Sequence, residues 1–282
     1  MKKFRFGVSA RGRGDTLEGL KDFARKAEDL GYDVLMLPDH LNEQMSAMYP
    51  LVAAAQHTTR LRFTTLTLAN DFRHPVMTAK EAATVDVLTG GRFELGIGTG
   101  SADNDNRMAG LPIDPPGVRV ERITETVRIV KAFFTGQQVT FAGKHYKVEG
   151  LPGYPKPVQT HVPLLLGASG PRMLRLAARE ADIIGIMGGR GGSMAEKRDV
   201  IRAAAGARWD QIELNTLGMR VQVDGKPDLP ASMPQMAGYV GSRDEVVEQL
   251  LKQREETDVS YISIVGGALE AFAPVVAQLN GR

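Results

Sequence analysis

His40 and His74 each follow an apolar run at which a strand would end, so an imidazole at either place could take or give a proton near neutral pH. His57, His145 and His161 fall at a helix end, in a hairpin and in a connector. His40, preceded by Asp39, is the candidate catalytic residue, against the plainer reading of a histidine that hydrogen-bonds loop backbone. His74 precedes a proline and reads as structural. There are no cysteines, which excludes disulfide and thiolate chemistry, and no His-Glu-x-x-His spacing, which argues against a metal site.

Three glycine-rich runs are the other places where backbone could meet a ligand. Gly96 to Ser101 (GIGTGS) follows a strand but misplaces the third glycine of a dinucleotide fingerprint, and no helix is expected over the DNDN that follows. Either the run is a turn out of a strand, or Gly98, Thr99 and Gly100 let a flat ligand approach the chain closely. Gly167 to Pro171 (GASGP) has proline where a nucleophile elbow needs glycine. Gly167, Ala168, Ser169 and Gly170 fit a phosphate-binding helix start better, the alternative being an ordinary N-cap serine. Gly188 to Gly192 (GGRGG) lacks the Lys-Ser/Thr of a P-loop; Gly188, Gly189 and Arg190 either complete an anion pocket or form a simple loop. Among Asn70, Asp71 and Arg73, only Asn70 is read as holding a ligand's polar edge.

These residues need elements that bring strand ends together. Phe4–Val8, Val34–Leu37, a strand begun at Leu61 and running to Ala69, Phe93–Ile97, Leu164–Leu166, Ile183–Met187, Ile212–Val223 and Tyr261–Val265 are short apolar strands. Helices alternate with them: one begun by a capping box at Asp15 and Glu18 and ended at Gly31, then Tyr49–Thr58, Pro75–Leu88, Val118–Phe134, Pro171–Arg179, Met194–Ala205, Asp244–Glu256 and Leu269–Leu279. Eight βα units predict an α/β chain folded as one (β/α)8 TIM barrel domain over residues 1–282. A hairpin, Val139–Phe141 and Tyr146–Val148, with a proline-rich connector forms an excursion between the fourth helix and fifth strand. Residues 224–238 receive no assignment.

A charged fraction of 24% and a net charge of +2, without a block of like charge, give no support to a nucleic-acid or membrane partner. The basic N-terminus has too short an apolar run for a signal peptide or span. A cytoplasmic enzyme with a small-molecule substrate is the expectation.

Several segments together, AEDLGYDVLMLPDH, LANDFRHPVMTAKEAATVDVLTGGRFELGIGTGS, GVRVERITETVRIVKAFFTG and PLLLGASGPRMLRLAAREADIIGI, resemble the bacterial luciferase-like superfamily of flavin and deazaflavin oxidoreductases. The resemblance runs collinearly from Phe4 to Val265. It implies a flavin-like ring at the barrel mouth, resting on a bulge, often with a non-proline cis peptide, within Leu66 to Asn70, so that Leu68, Ala69 and Asn70 join the cofactor residues. It further implies a cofactor phosphate at Ser169 and Gly170 and an active-site histidine at His40. The branch it is most similar to uses coenzyme F420 for hydride transfer. The alternatives are an FMN monooxygenase fed by a separate reductase and a cofactor-binding protein without turnover. A homodimer is also compatible with the family. Where sugar-phosphate dehydrogenases of the deazaflavin branch carry glutamate after GTG, this chain has Ser101, so their substrate and acid assignments do not transfer.

Overall fold

The structure, a computed structural model, describes residues 1–11, 16–41, 45–100, 103–187, 191–226 and 237–282. In chain order it contains β1 (Arg5–Ser9), α1 (Leu17–Asp29), β2 (Val34–Leu37), α2 (Met48–Ala55), β3 (Arg62–Thr65), β4 (Leu68–Ala69), α3 (Pro75–Leu88), β5 (Phe93–Gly98), α4 (Asp103–Met108) and α5 (Pro116–Phe134). The hairpin β6 (Val139–Ala142) and β7 (Lys147–Leu151) interrupts the alternation. Then follow β8 (Leu164–Ala168), α6 (Pro171–Glu180), β9 (Ile183–Ile186), α7 (Met194–Ala205), β10 (Glu213–Val223), β11 (Ala237–Gly241), α8 (Arg243–Thr257), β12 (Val259–Val265) and α9 (Leu269–Leu279).

Parallel pairing runs β12-β1-β2-β3-β5-β8-β9, and β10 pairs with both β9 and β12, which closes a ring of eight strands. This is the (β/α)8 barrel expected from the alternation. Its strands are apolar on both faces because each lies between lumen and helices: β2, β5 and β9 are buried at every position. Leu20, Phe23, Ala24 and Ala27 form the buried stripe of α1 at helical spacing, while Leu17 in its first turn is exposed. Ser193 with Glu196 and Ser242 with Glu245 make capping boxes that start α7 and α8.

Three expectations are corrected, and part of a stretch without an assignment is placed. The first helix is capped by Thr16, whose side chain accepts from Gly19 N–H; Asp15 lies outside the described residues. The third strand is not continuous from Leu61 to Ala69: β3 stops at Thr65, a cis peptide joins Leu66 to Thr67, within the stretch where the resemblance implies one, and β4 resumes beside β5. DNDN does begin a helix. Its inward positions are polar, Asp105 and Asn106, only 3% and 4% exposed, so no apolar periodicity announces it. Part of the unassigned stretch near residue 238 is β11, which adds to the far end of β10.

The proline-rich connector is anchored beneath the barrel. Asp86 Oδ2 on α3 accepts from the Val158 and Gln159 N–H groups at 2.7 and 3.0 Å, and Asp86 is 0% exposed. The excursion therefore leaves the barrel mouth unobstructed by its own connector, and the chain returns to the N-terminal ends of the strands.

Candidate active site

All eight strands end at one face, where a cavity of about 900 Å³ opens. Leu66 and Thr67, at the strand interruption, line it, with Gly98 from β5 and Gly167 from β8 beside them. A side chain on Gly98 would put its Cβ 2.5 Å from Thr67 Oγ1, and one on Gly167 would put its Cβ 3.4 Å from Thr67 Cγ2. Glycine at both places thus leaves a smooth backbone wall against Thr67, suited to a flat ligand.

His40 borders the same cavity from the end of β2. Its Nδ1 lies 2.8 Å from Asp105 Oδ2, and the Asp105 side chain is 5% exposed against 32% for His40. A buried carboxylate on Nδ1 fixes the ring's orientation and favours the tautomer with hydrogen on Nδ1. Asp39 does not assist His40. It accepts from Arg73 at 2.5 and 3.2 Å and from Ala69 N–H at 3.0 Å, so it ties the β2 loop to the third-strand end.

Arg119, on α5, braces the glycine run. Its Nε donates to Thr99 O at 3.1 Å, its Nη2 donates to Gly100 O, and Asp71 lies 3.5 Å away. Across the cavity, Gly170 rather than Ser169 is the N-cap of α6, and no side chain caps that helix. Pro171 has no N–H, so the Arg172 and Met173 N–H groups are the first at this terminus, and no described side chain caps them. A Cβ at Gly170 would meet nothing within 4 Å, so the space before the helix is open. Arg172 stands in the helix's first turn; its Nη1 would lie 3.0 Å from a Cβ on Gly117, so it reaches over to the start of α5.

The cavity thus gathers His40, Ala69, Gly98, Thr99, Gly100, Gly167, Ala168, Ser169 and Gly170. Leu68 and Asn70 do not line it: they are 1% and 4% exposed and lie beneath the wall, and Asn70 Nδ2 has no hydrogen-bond partner among the described residues. Gly188, Gly189, Arg190 and Ser101 lie outside the described residues. His74 accepts from Val76 N–H at 3.3 Å as the N-cap of α3 and packs edge-on against Tyr146 of the hairpin. His145 and His161 pair with Glu121 and Asp182. Among the described residues no group of three or more His, Cys, Asp or Glu could hold a metal, and no helix is long and apolar enough to cross a membrane.

Sequence reasoning missed Asp105, Arg119, Arg172 and Arg220, all of which line the cavity. Asp105 and Arg172 stand in the helices that follow β5 and β8, and Arg220 lies within the overhanging end of β10. Polar residues at those ends were the available signal.

Comparison with known proteins follows the same lines. Residues 3–224 match the model of the luciferase-like monooxygenase family. The F420-dependent glucose-6-phosphate dehydrogenase of Microbacterium testaceum is 36% identical over 63% of this chain and 55% of its own length. The enzyme of that name from Nakamurella multipartita is 32% identical over 78% of this chain and 68% of its own. The match thus spans little more than half the length of the first relative. The solved structure of the coenzyme F420-dependent tetrahydromethanopterin reductase from Methanopyrus kandleri superposes with a TM-score of 0.85 at 20% identity, covering 99% of this chain and 100% of the other. At that identity the superposition speaks for the fold.

Proposed function

Since the chain belongs to the luciferase-like monooxygenase family, we propose that it is an oxidoreductase transferring hydride between coenzyme F420 and a small organic substrate. The two relatives named above bear F420-dependent names, and the cavity suits a deazaflavin. One observation carries the reading: the side-chain-free wall at Gly98 and Gly167, set against Thr67, shares a cavity with the oriented His40–Asp105 pair.

The volume of about 900 Å³ has room for a tricyclic ring with substrate beside it. Thr67, Ala69, Gly98 and Gly167 would hold the ring. The open start of α6 at Ser169 and Gly170, with the Arg172 guanidinium nearby, would hold a phosphate. When bound, F420 supplies two-electron hydride chemistry. The protein supplies position and electrostatics.

His40 would manage the substrate proton. With Nδ1 committed to Asp105, proton exchange falls to Nε2, and the Asp105 carboxylate stabilises the imidazolium whenever His40 carries the proton. Asp105 is then a positioning residue. Arg119 keeps the Thr99–Gly100 backbone in place from outside the ring site.

Fluorescence titration with oxidised F420, in parallel with FMN, tests the assignment. Binding of F420 at least tenfold tighter than FMN is expected. Tight FMN binding with negligible F420 binding would overturn it in favour of a flavin monooxygenase served by a reductase.

A further inference from the structure

Resting on the reading of this cavity as a site for cofactor and substrate, we propose that Arg220, with Arg11 beside it, forms an oxyanion subsite. It would select substrates that carry a carboxylate or a phosphate.

The placement follows from strand register. β10 runs past the barrel: its pairing with β12 shifts between Thr216 and Met219, and Gly218 takes φ +58°. Met219 pairs with Ile264, so Arg220 comes level with Val265, the last residue of β12. Val265 pairs in turn with Ser9, the last residue of β1, two positions before Arg11. Arg220 and Ser9 therefore flank Val265 from its two neighbouring strands, with backbones about 10 Å apart by ordinary strand spacing, and Arg11 follows Ser9 by two positions at the same mouth. Two arginine side chains can close on one anion across that gap.

The charge balance points the same way. Arg220, Arg11 and Val265 all line the cavity, and Arg220 Nε is buried without a hydrogen-bond partner among the described residues. The cavity's described carboxylates are already engaged, Asp39 by Arg73 and Asp105 by His40. An anion entering here would meet cations with no carboxylate competing for them.

Position separates this subsite from the one at α6. Around the ring of eight, β12 lies three strands from β8, and β1 lies opposite it. A ligand whose phosphate sits at Ser169 and Gly170 leaves the arc around β12 to a second molecule. The loops after the seventh and eighth strands are also where barrel enzymes often hold an anionic group, and β10 and β12 are those strands here.

Isothermal titration of inorganic phosphate into protein saturated with oxidised F420 decides the matter, with Arg220→Gln, Arg220→Lys and Arg11→Gln beside the wild type. The phosphate Kd should rise tenfold or more in Arg220→Gln and several-fold in Arg11→Gln, with Arg220→Lys in between. F420 affinity by fluorescence should stay within twofold throughout. Unchanged phosphate binding in Arg220→Gln, or no phosphate binding by the wild type, overturns the subsite. A matching loss of F420 affinity overturns it too, since Arg220 would then serve the cofactor. Should the wild type bind no F420, the functional reading falls, and titration into the protein alone still decides: loss in Arg220→Gln upholds the subsite and no difference removes it.

Discussion

The two ends of the barrel treat charge in opposite ways. At the N-terminal end, Arg5 on β1 donates to Glu94 on β5 and to Glu213 on β10, both at 2.6 Å, and Arg62 on β3 donates to Glu94 at 2.7 Å. Burial alone would lower the Arg5 pKa, but Glu94, Tyr261 and Glu213 hold it well above its ordinary value. At the C-terminal mouth, Arg11, Arg172 and Arg220 line open space with no described carboxylate in salt-bridge reach. Charges that pair with one another make a plug; cations without a carboxylate at a cavity invite a ligand. The same barrel thus divides its polar residues between holding the strands together and lining the cavity proposed as the substrate site.

The sharpest test of this division is that mutation at each end should change only one property. His40→Ala should lower turnover by about 10²–10⁴-fold, the usual range for a lost general acid or base, while the denaturation midpoint moves little. Asp105→Asn should lose a smaller share and alter the pH profile of turnover, which a merely packing residue would not do. At the other end, Glu94→Ala should cost about 3 kcal/mol, because it leaves Arg5 and Arg62 half-buried without their shared carboxylate. Chemical denaturation measures that loss, and F420 affinity should be retained. A Glu94 variant of normal stability, or a His40 variant that loses stability instead of activity, would dissolve the contrast.

How far each end could be read from sequence follows from the range of its contacts. The βα alternation and the buried stripes depend on neighbours a few positions apart, so eight units could be placed and the strand ends found. His40, Gly98 and Gly170 were found because strand ends mark the mouth. Their partners were not: Asp105 lies 65 positions from His40, and Glu213 lies 208 from Arg5. Helix α4 escaped for a related reason, since its buried residues are polar and are held by tertiary contacts such as Asp105 to His40. The interruption at Leu66–Thr67 falls in a run of apolar and β-branched residues that reads as continuous strand by residue type, and it is the family resemblance that places a bulge with a cis peptide there.

Gly98→Ala probes the mouth with less force than removing His40. The added methyl would lie 2.5 Å from Thr67 Oγ1, so the threonine must give way and the wall roughens where the ring should lie. F420 affinity should fall about tenfold, worth about 1.4 kcal/mol, while Gly90→Ala serves as a control, its Cβ meeting nothing within 4 Å although its φ of +64° adds a backbone cost of its own. Equal F420 affinity in wild type and Gly98→Ala would mean that the ring does not rest on this wall.

The smallest effect belongs to the closed end and is read by pH. Glu28, near the end of α1, accepts from the Leu61, Arg60 and Thr59 N–H groups at 2.8, 2.7 and 3.0 Å, which ties that helix to the loop entering β3. Burial alone would raise its pKa, but these N–H donors bring it down to about 2. A carboxylate depressed in the folded state stabilises the fold above its unfolded pKa of about 4.3, and that contribution drains away as pH falls towards 2. Solvent screening at this partly exposed position reduces the expected contribution to about 1 kcal/mol. Glu28→Gln should therefore be less stable than wild type at pH 7 by about that amount, and in urea denaturation the gap should narrow below the unfolded pKa and close only as pH approaches 2. A difference that stays constant from pH 7 to pH 3 would show that the carboxylate's charge plays no part in closing this end of the barrel.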